Sequence, residues 1–190
     1  MKDSNDIPPY QNVTKSERQS DPKIKSEMRT TATGKSLQLL IRENDSSLND
    51  LIIIPIDFEN SKDTFRINDA DPLLNTWLLD LDNNGYDELY LVTSSVGSGS
   101  YATIYGYASN QDLSLTPIYV PTISENDVME GGDFIGYMGH DSIYVEKNRI
   151  YRKYPIYKKD DPNCCPTGGN KIVRYQLKAG EASWILEIDH

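Results

Sequence analysis

Two clusters of side chains in this chain have types and spacings that could do chemistry, and a third has the types alone. In Asp80-x-Asp82-x-Asn84-Gly85-x-x-Glu88 the oxygen-bearing side chains stand at positions 1, 3, 5 and 9 of a calcium-loop spacing, with glycine at position 6. Hard oxygen donors on a sharp turn suit a hard cation, and the Tyr86 carbonyl could join them. The bidentate glutamate that closes a full EF-hand is absent. The same residues also read as an Asx-rich hairpin turn that needs no ion. That metal-free turn is the expectation, with calcium the competing reading and no other cofactor implied. The second cluster is Gly97-Ser98-Gly99-Ser100-Tyr101. Ser98 and Tyr101 offer hydroxyls, while Gly97 and Gly99 let the backbone turn sharply between them. Such a loop can enter another molecule's cleft and hydrogen-bond there. The third is Ser98 with His140 and Asp141 as a hydrolase set. Nucleophile elbows need Gly-x-Ser-x-Gly between a strand and a helix. Here the serine sits in Gly97-Ser98-Gly99 with no helix after it, so the chain is not expected to be an enzyme.

The elements that must position these residues read as short strands. Segments 37–41, 51–56, 64–67, 76–81, 88–92, 102–107, 113–120, 142–145, 149–154, 171–177 and 183–188 are rich in Ile, Val, Tyr and Thr. Asn, Asp, Gly and Pro cluster between them, and Glu146-Lys147-Asn148 is a hairpin-turn sequence. Helical periodicity is missing, apart from one turn suggested at 69–74. The pattern predicts an all-β antiparallel sandwich or barrel-like sheet pair. Residues 1–35 are polar and aperiodic and read as a flexible, disordered tail, leaving 36–190 as a single all-β domain.

Composition narrows the partners. Lys plus Arg total 19 against 29 acidic residues, a formal charge of −10. Nucleic-acid binding needs clustered cations, so it is not expected; anionic membrane surfaces are disfavoured for the same reason. A basic protein partner would be attracted at long range. No apolar run approaches the ~20 residues that span a bilayer. The opening residues lack the apolar core of a signal peptide, which fits a cytoplasmic chain or one whose leader has been removed. The two cysteines, Cys164 and Cys165, are adjacent. With no further Cys or nearby His they do not make a zinc site, and their reading is structural. Tyr137, Tyr144, Tyr151, Tyr154, Tyr157 and Tyr175 could line a glycan-binding face, but strand tyrosines more often fill half-buried sheet positions.

Several segments together resemble the periplasmic inhibitors of invertebrate-type lysozyme. They are Leu79-Asp80-Leu81-Asp82-Asn83-Asn84-Gly85-Tyr86-Asp87-Glu88-Leu89, the loop 97–101, Gly136-Tyr137-Met138-Gly139-His140-Asp141-Ser142-Ile143, and Tyr154-Pro155-Ile156-Tyr157 followed by Asp161, Pro166-Thr167-Gly168-Gly169 and Arg174-Tyr175-Gln176-Leu177. The resemblance covers roughly residues 64–178. It implies an all-β inhibitor that plugs a lysozyme cleft with a Ser-Gly-x-Tyr loop. Ser98 and Tyr101 match the serine and tyrosine, with Gly97, Gly99 and Ser100 shaping the loop. It also implies a periplasmic or cell-envelope location and a lysozyme as protein partner, with a homodimer also allowed. A polar tail would suit an envelope tether. The alternative function is a calcium-dependent or glycan-binding adhesion module built on the acidic loop 80–88.

Overall fold

The computed structural model describes residues 23–44, 47–60 and 63–190. Among them the chain forms three consecutive four-stranded antiparallel sheets. The first holds β1 (Lys23–Thr30), β2 (Ser36–Glu43), β3 (Asn49–Ile56) and β4 (Phe65–Ala70). The second holds β5 (Leu73–Leu79), β6 (Glu88–Ser94), β7 (Ala102–Asn110) and β8 (Ser114–Ile118). After the short helix α1 (Glu125–Val128) come β9 (Ser142–Glu146), β10 (Arg149–Pro155), β11 (Asn170–Ala179) and β12 (Trp184–Ile188). Within each sheet every strand pairs with its neighbours in sequence, so each sheet is a meander. The β9–β10 turn is as the sequence predicts: Lys147 and Asn148 both adopt positive φ, matching the right-handed twist of the flanking strands.

The second sheet is the middle layer. On β6, Leu89 and Leu91 face the first sheet and pack on Leu37, Leu39, Leu51 and Ile53. Tyr90 and Val92 face the third sheet and pack with Ile150, Tyr154, Val173 and Leu186. Alternation of side-chain direction thus buries both faces, and a continuous apolar run results. Full burial of a Leu or Ile side chain contributes roughly 1.5–3 kcal/mol, so these two layers supply much of the driving force. The second and third sheets also meet at an edge. Tyr119, just past β8, forms a parallel bridge with Ile185 of β12, through Tyr119 N to Trp184 O (2.8 Å) and Leu186 N to Tyr119 O (2.9 Å).

The all-β antiparallel expectation holds, and the second and third sheets supply the sandwich-like pair. The first sheet is an additional layer over the outer face of that pair. The expected tail boundary moves: residues 23–30, placed in the tail, form β1, while 1–22 lie outside the described residues. β1 shows no apolar alternation because it is an edge strand, exposed along nearly its whole length. Backbone pairing with β2 from Lys23↔Glu43 to Thr30↔Ser36 holds it, helped by a Lys25–Glu43 ion pair. The helical turn suggested at 69–74 is instead the end of β4, with Asp69 at φ 52°, the two-residue link Asp71-Pro72 and the start of β5. The helical turn lies at α1, where Ser124 and Asp127 form a capping box.

Candidate functional site

The hydroxyl loop joins β6 to β7. Its base is closed by Ser95 N to Tyr101 O (3.0 Å) and Tyr101 N to Ser95 Oγ (2.9 Å). Above that neck Ser100 N donates to Gly97 O (3.1 Å), and Ser100 takes a left-handed φ of 43°. Ser98 is exposed at the apex, and Tyr101 is 47% exposed. The Tyr101 ring lies across Gly99, where a Cβ would stand 2.3 Å from Cε2. The ring also lies against Gly139 and meets Tyr137 edge-on with ring centroids 5.8 Å apart. The tip is therefore displayed, and its aromatic ring rests on the outside of the molecule rather than in the core.

A second loop clamps the first. His140 N donates to Gly99 O at 2.6 Å, and at Gly139 (φ 84°) a Cβ would fall 2.0 Å from the same oxygen. Only glycine permits that approach and that φ together. Beneath both loops lies a buried ion pair. Arg152 of β10 donates from Nη1 to Asp141 Oδ2 at 2.6 Å, with side-chain exposures of 6% and 0%. Asp141 Oδ1 accepts Ala102 N (2.9 Å), its Oδ2 accepts the Tyr137 hydroxyl (3.0 Å), and Arg152 Nη2 reaches Ala102 O (3.3 Å). The first residue of β7 is thereby gripped at both its N–H and its carbonyl. Burial works against the Arg152 charge, but Tyr175, Asp141 and Tyr137 hold it above the usual arginine range. Burial also pushes the Tyr137 hydroxyl well above the usual tyrosine range.

A third segment borders the apex. Asn163 Nδ2 lies 3.4 Å from Ser98 O, and the Tyr157 hydroxyl donates to Asn163 O (2.8 Å). Cys164 and Cys165 beside it are joined as a disulfide. The same loop is tied to the end of β10 by Ile156 N to Gly169 O and Gly168 N to Ile156 O, both 2.9 Å. Asp161 accepts from Lys158 N and from Thr167 N and Oγ1, and these donors hold its carboxyl below the usual range.

The acidic turn sits at the other end of β6. Asp80 accepts Asn84 N and Gly85 N (both 2.9 Å), and Asp82 Oδ1 accepts Asn84 N (3.1 Å). Asn84 spends its own amide on Asp82 Oδ2 and accepts Tyr86 N through Oδ1 (2.8 Å). One carboxylate oxygen from each of Asp80, Asp82 and Glu88 lies within 4.8 Å of the others. Burial raises the Asp82 carboxyl above its ordinary range. Glu88 is wholly buried, and that burial, reinforced by Asp82, Asp80 and Asp87, pushes its carboxyl up to about 8. Across the sheet interface Asn148 donates to Asp80 O, and Arg149 donates to Leu81 O (2.7 Å).

The structure brings Gly97, Ser98, Gly99, Ser100 and Tyr101 together as one projecting loop, and sets Asp80, Asp82, Asn84 and Glu88 in a separate turn. His140 is a turn residue at φ 53°, stacked on Tyr157 at 6.1 Å. The six tyrosines do not share a face. Tyr154, Tyr157 and Tyr175 are buried, and Tyr144 and Tyr151 stack on each other at 5.4 Å. Sequence reasoning missed Arg152 as the anchor of the tip. Its signal was alternation: Arg152 shares one face of the strand with Ile150 and Tyr154, and an arginine on an apolar face needs a partner. Among the described residues no helix is long and apolar enough to cross a membrane. Compared with known protein families, characterised proteins and solved structures, the chain finds no significant match.

Proposed function

We propose that the chain is a lysozyme inhibitor that works by occupying the enzyme's cleft with the loop 97–101. The observation carrying this reading is the displayed Ser98 and Tyr101 on a backbone closed at its base by Ser95 and Tyr101 and held from outside by His140 N on Gly99 O and Asn163 on Ser98 O. A loop ordered before binding has less conformational entropy to lose on complex formation. Retaining and inverting glycosidases cut glycan with a pair of carboxyl groups. The Ser98 and Tyr101 hydroxyls can donate to such carboxylates without presenting a bond to cleave. Hydrogen bonds to charged groups contribute about 1.5–3 kcal/mol each. The Tyr101 ring adds apolar area of the kind that anchors interfaces. An apolar groove of roughly 400 Å³, lined by Tyr101, Ile104, Val120, Ile123 and Tyr137, adjoins the loop and widens the contact surface. The net charge of −10 favours encounter with a basic enzyme. Inhibition in this reading involves no chemistry on the inhibitor, and the working place is the periplasm or cell envelope.

A lysis-inhibition assay against several lysozyme types, the invertebrate type included, tests the reading. The parent chain should suppress lysis by at least one of them, and Tyr101→Ala should lose most of that potency. Equal inhibition by Tyr101→Ala and Ser98→Ala, or none by the parent, would rule the loop out as the inhibitory element.

A further inference from the structure

We infer that the β5–β6 turn is a calcium site in which Asp80, Asp82 and Glu88 bind the ion through carboxylate oxygens. Convergence of acidic side chains alone would not carry this, since a solvated turn can gather them. Glu88 supplies the independent observation. The residue is 0% exposed, and only one of its oxygens is served: Oε2 accepts Leu81 N at 2.9 Å. Its Oε1 is buried and meets no hydrogen-bond donor among the described residues. A buried carboxyl oxygen without a partner is costly whether or not the group is ionised, and nearly all buried polar atoms in folded proteins have one. The β9–β10 hairpin sends two donors to this place, Asn148 and Arg149, and both go to the backbone carbonyls of Asp80 and Leu81.

A cation would meet that demand. Oxygens bound to one calcium at ~2.3–2.6 Å can stand up to about 5 Å apart on opposite sides of it. The three carboxylate oxygens, all within 4.8 Å of one another, fall inside that limit. The set contains no imidazole or thiolate, so it selects a hard ion over zinc or copper. Calcium accepts six to eight oxygens in flexible geometry. Asn84 Oδ1, at the fifth position of the spacing, and the Tyr86 carbonyl, at the seventh, are further oxygens at ligand positions of that spacing. Asn84 Oδ1 accepts one N–H, from Tyr86, and has a second lone pair to offer. Three carboxylates around a divalent ion leave a net negative site, which strengthens binding. The consequence is structural: the ion would fasten the β5–β6 turn, and with it the start of the central strand, against the β9–β10 hairpin. The inference does not rest on lysozyme inhibition, because the turn and the hydroxyl loop lie at opposite ends of β6.

The test uses the full chain, stripped with chelator and then titrated with calcium chloride, with magnesium chloride as the comparison. Thermal melting and terbium luminescence sensitised through tyrosine are the readouts. Calcium should raise the melting temperature by several degrees, as a ligand specific to the folded state does, and magnesium should do much less. Glu88→Gln keeps an acceptor for Leu81 N–H but removes the charge. It should fold, melt cooperatively without metal, and lose the calcium-dependent shift. Asp82→Asn should weaken terbium and calcium binding by an order of magnitude or more. A parent chain with no calcium-dependent shift would overturn the inference, and so would a shift of parental size in Glu88→Gln. Should Glu88→Gln not fold, Asp82→Asn decides: parental affinity there overturns the site.

Discussion

The two loops that bound β6 solve opposite problems. β6 is seven residues long, so they stand roughly 20 Å apart at ~3.3 Å per residue. At its C-terminal end the loop 95–101 carries no charged side chain and is shaped by backbone hydrogen bonds and two close glycine contacts. At its N-terminal end the turn 80–87 is crowded with carboxylates and backed by a buried glutamate. Both are pinned to the third sheet by arginines of β10: Arg152 grips Ala102 and Asp141, and Arg149 grips Leu81 O. The tip keeps its charge inside and presents neutral hydroxyls. The turn keeps its charge together and has an acceptor left over. A loop that must enter another protein's cleft should bring no unpaired charge with it, whereas a loop that holds an ion needs uncompensated oxygens. Both arrangements stand on one strand, one at each end of β6.

Arg152→Ala is the sharpest way to break the contrast. It strands the buried Asp141 carboxylate, and removing one partner of a buried ion pair typically costs about 3–5 kcal/mol. Urea unfolding should show that loss, together with faster proteolysis of the tip. The corresponding change at the other end, Arg149→Ala, removes a hydrogen bond to a carbonyl rather than an ion pair, and should cost only ~0.5–1.5 kcal/mol.

A second large effect belongs to the acidic turn alone. Below about pH 4.5 the Glu88 carboxyl is protonated in both folded and unfolded chains. Between 4.5 and about 8 the unfolded chain ionises it while the fold does not, so metal-free stability falls as pH rises through that window. Above 8 both states are ionised and the loss stops growing. Asp80, Asp82 and Asp87 all push in the same direction. At roughly 1.4 kcal/mol per pKa unit, the swing amounts to a few kcal/mol in chelator. Glu88→Gln should flatten it, and denaturation measured across the range checks this.

Tyr101→Ala should weaken lysozyme binding by ~2 kcal/mol or more while lowering stability by only ~0.5–1.5 kcal/mol, the worth of its edge-on contact with Tyr137. Titration calorimetry alongside thermal melting separates the two. Ser98→Ala should cost ~1–3 kcal/mol of binding. Equal sensitivity of fold and binding to Tyr101→Ala would mean that the ring supports the loop instead of serving a partner.

Much of this was legible in local pattern. Eleven of the strands stand where β-branched and aromatic residues gather, and Lys147-Asn148 turns where a polar pair follows Glu146. The exposure of Ser98 at the apex was legible because the residues around it are small, while the packing of the Tyr101 ring on Tyr137 was not. β1 was not, because an edge strand is held by backbone pairing and its side chains carry no alternation to read. Nor was the third layer. An apolar run such as Leu89-Tyr90-Leu91-Val92 shows that both faces are buried without showing what buries them.

By itself the chain's order of residues determined eleven of the strands, the β9–β10 turn, the flexible geometry of the glycines and the oxygen spacing at 80–88, since all of these depend on neighbours a few positions away. Only the tertiary structure decided that Arg152 meets Asp141 under the tip, that Gly139 leaves room for Gly99 O, and that Glu88 loses its water with one oxygen unserved. Each of those follows from which sheet faces come together, and burial and close contact exist only once distant segments have packed.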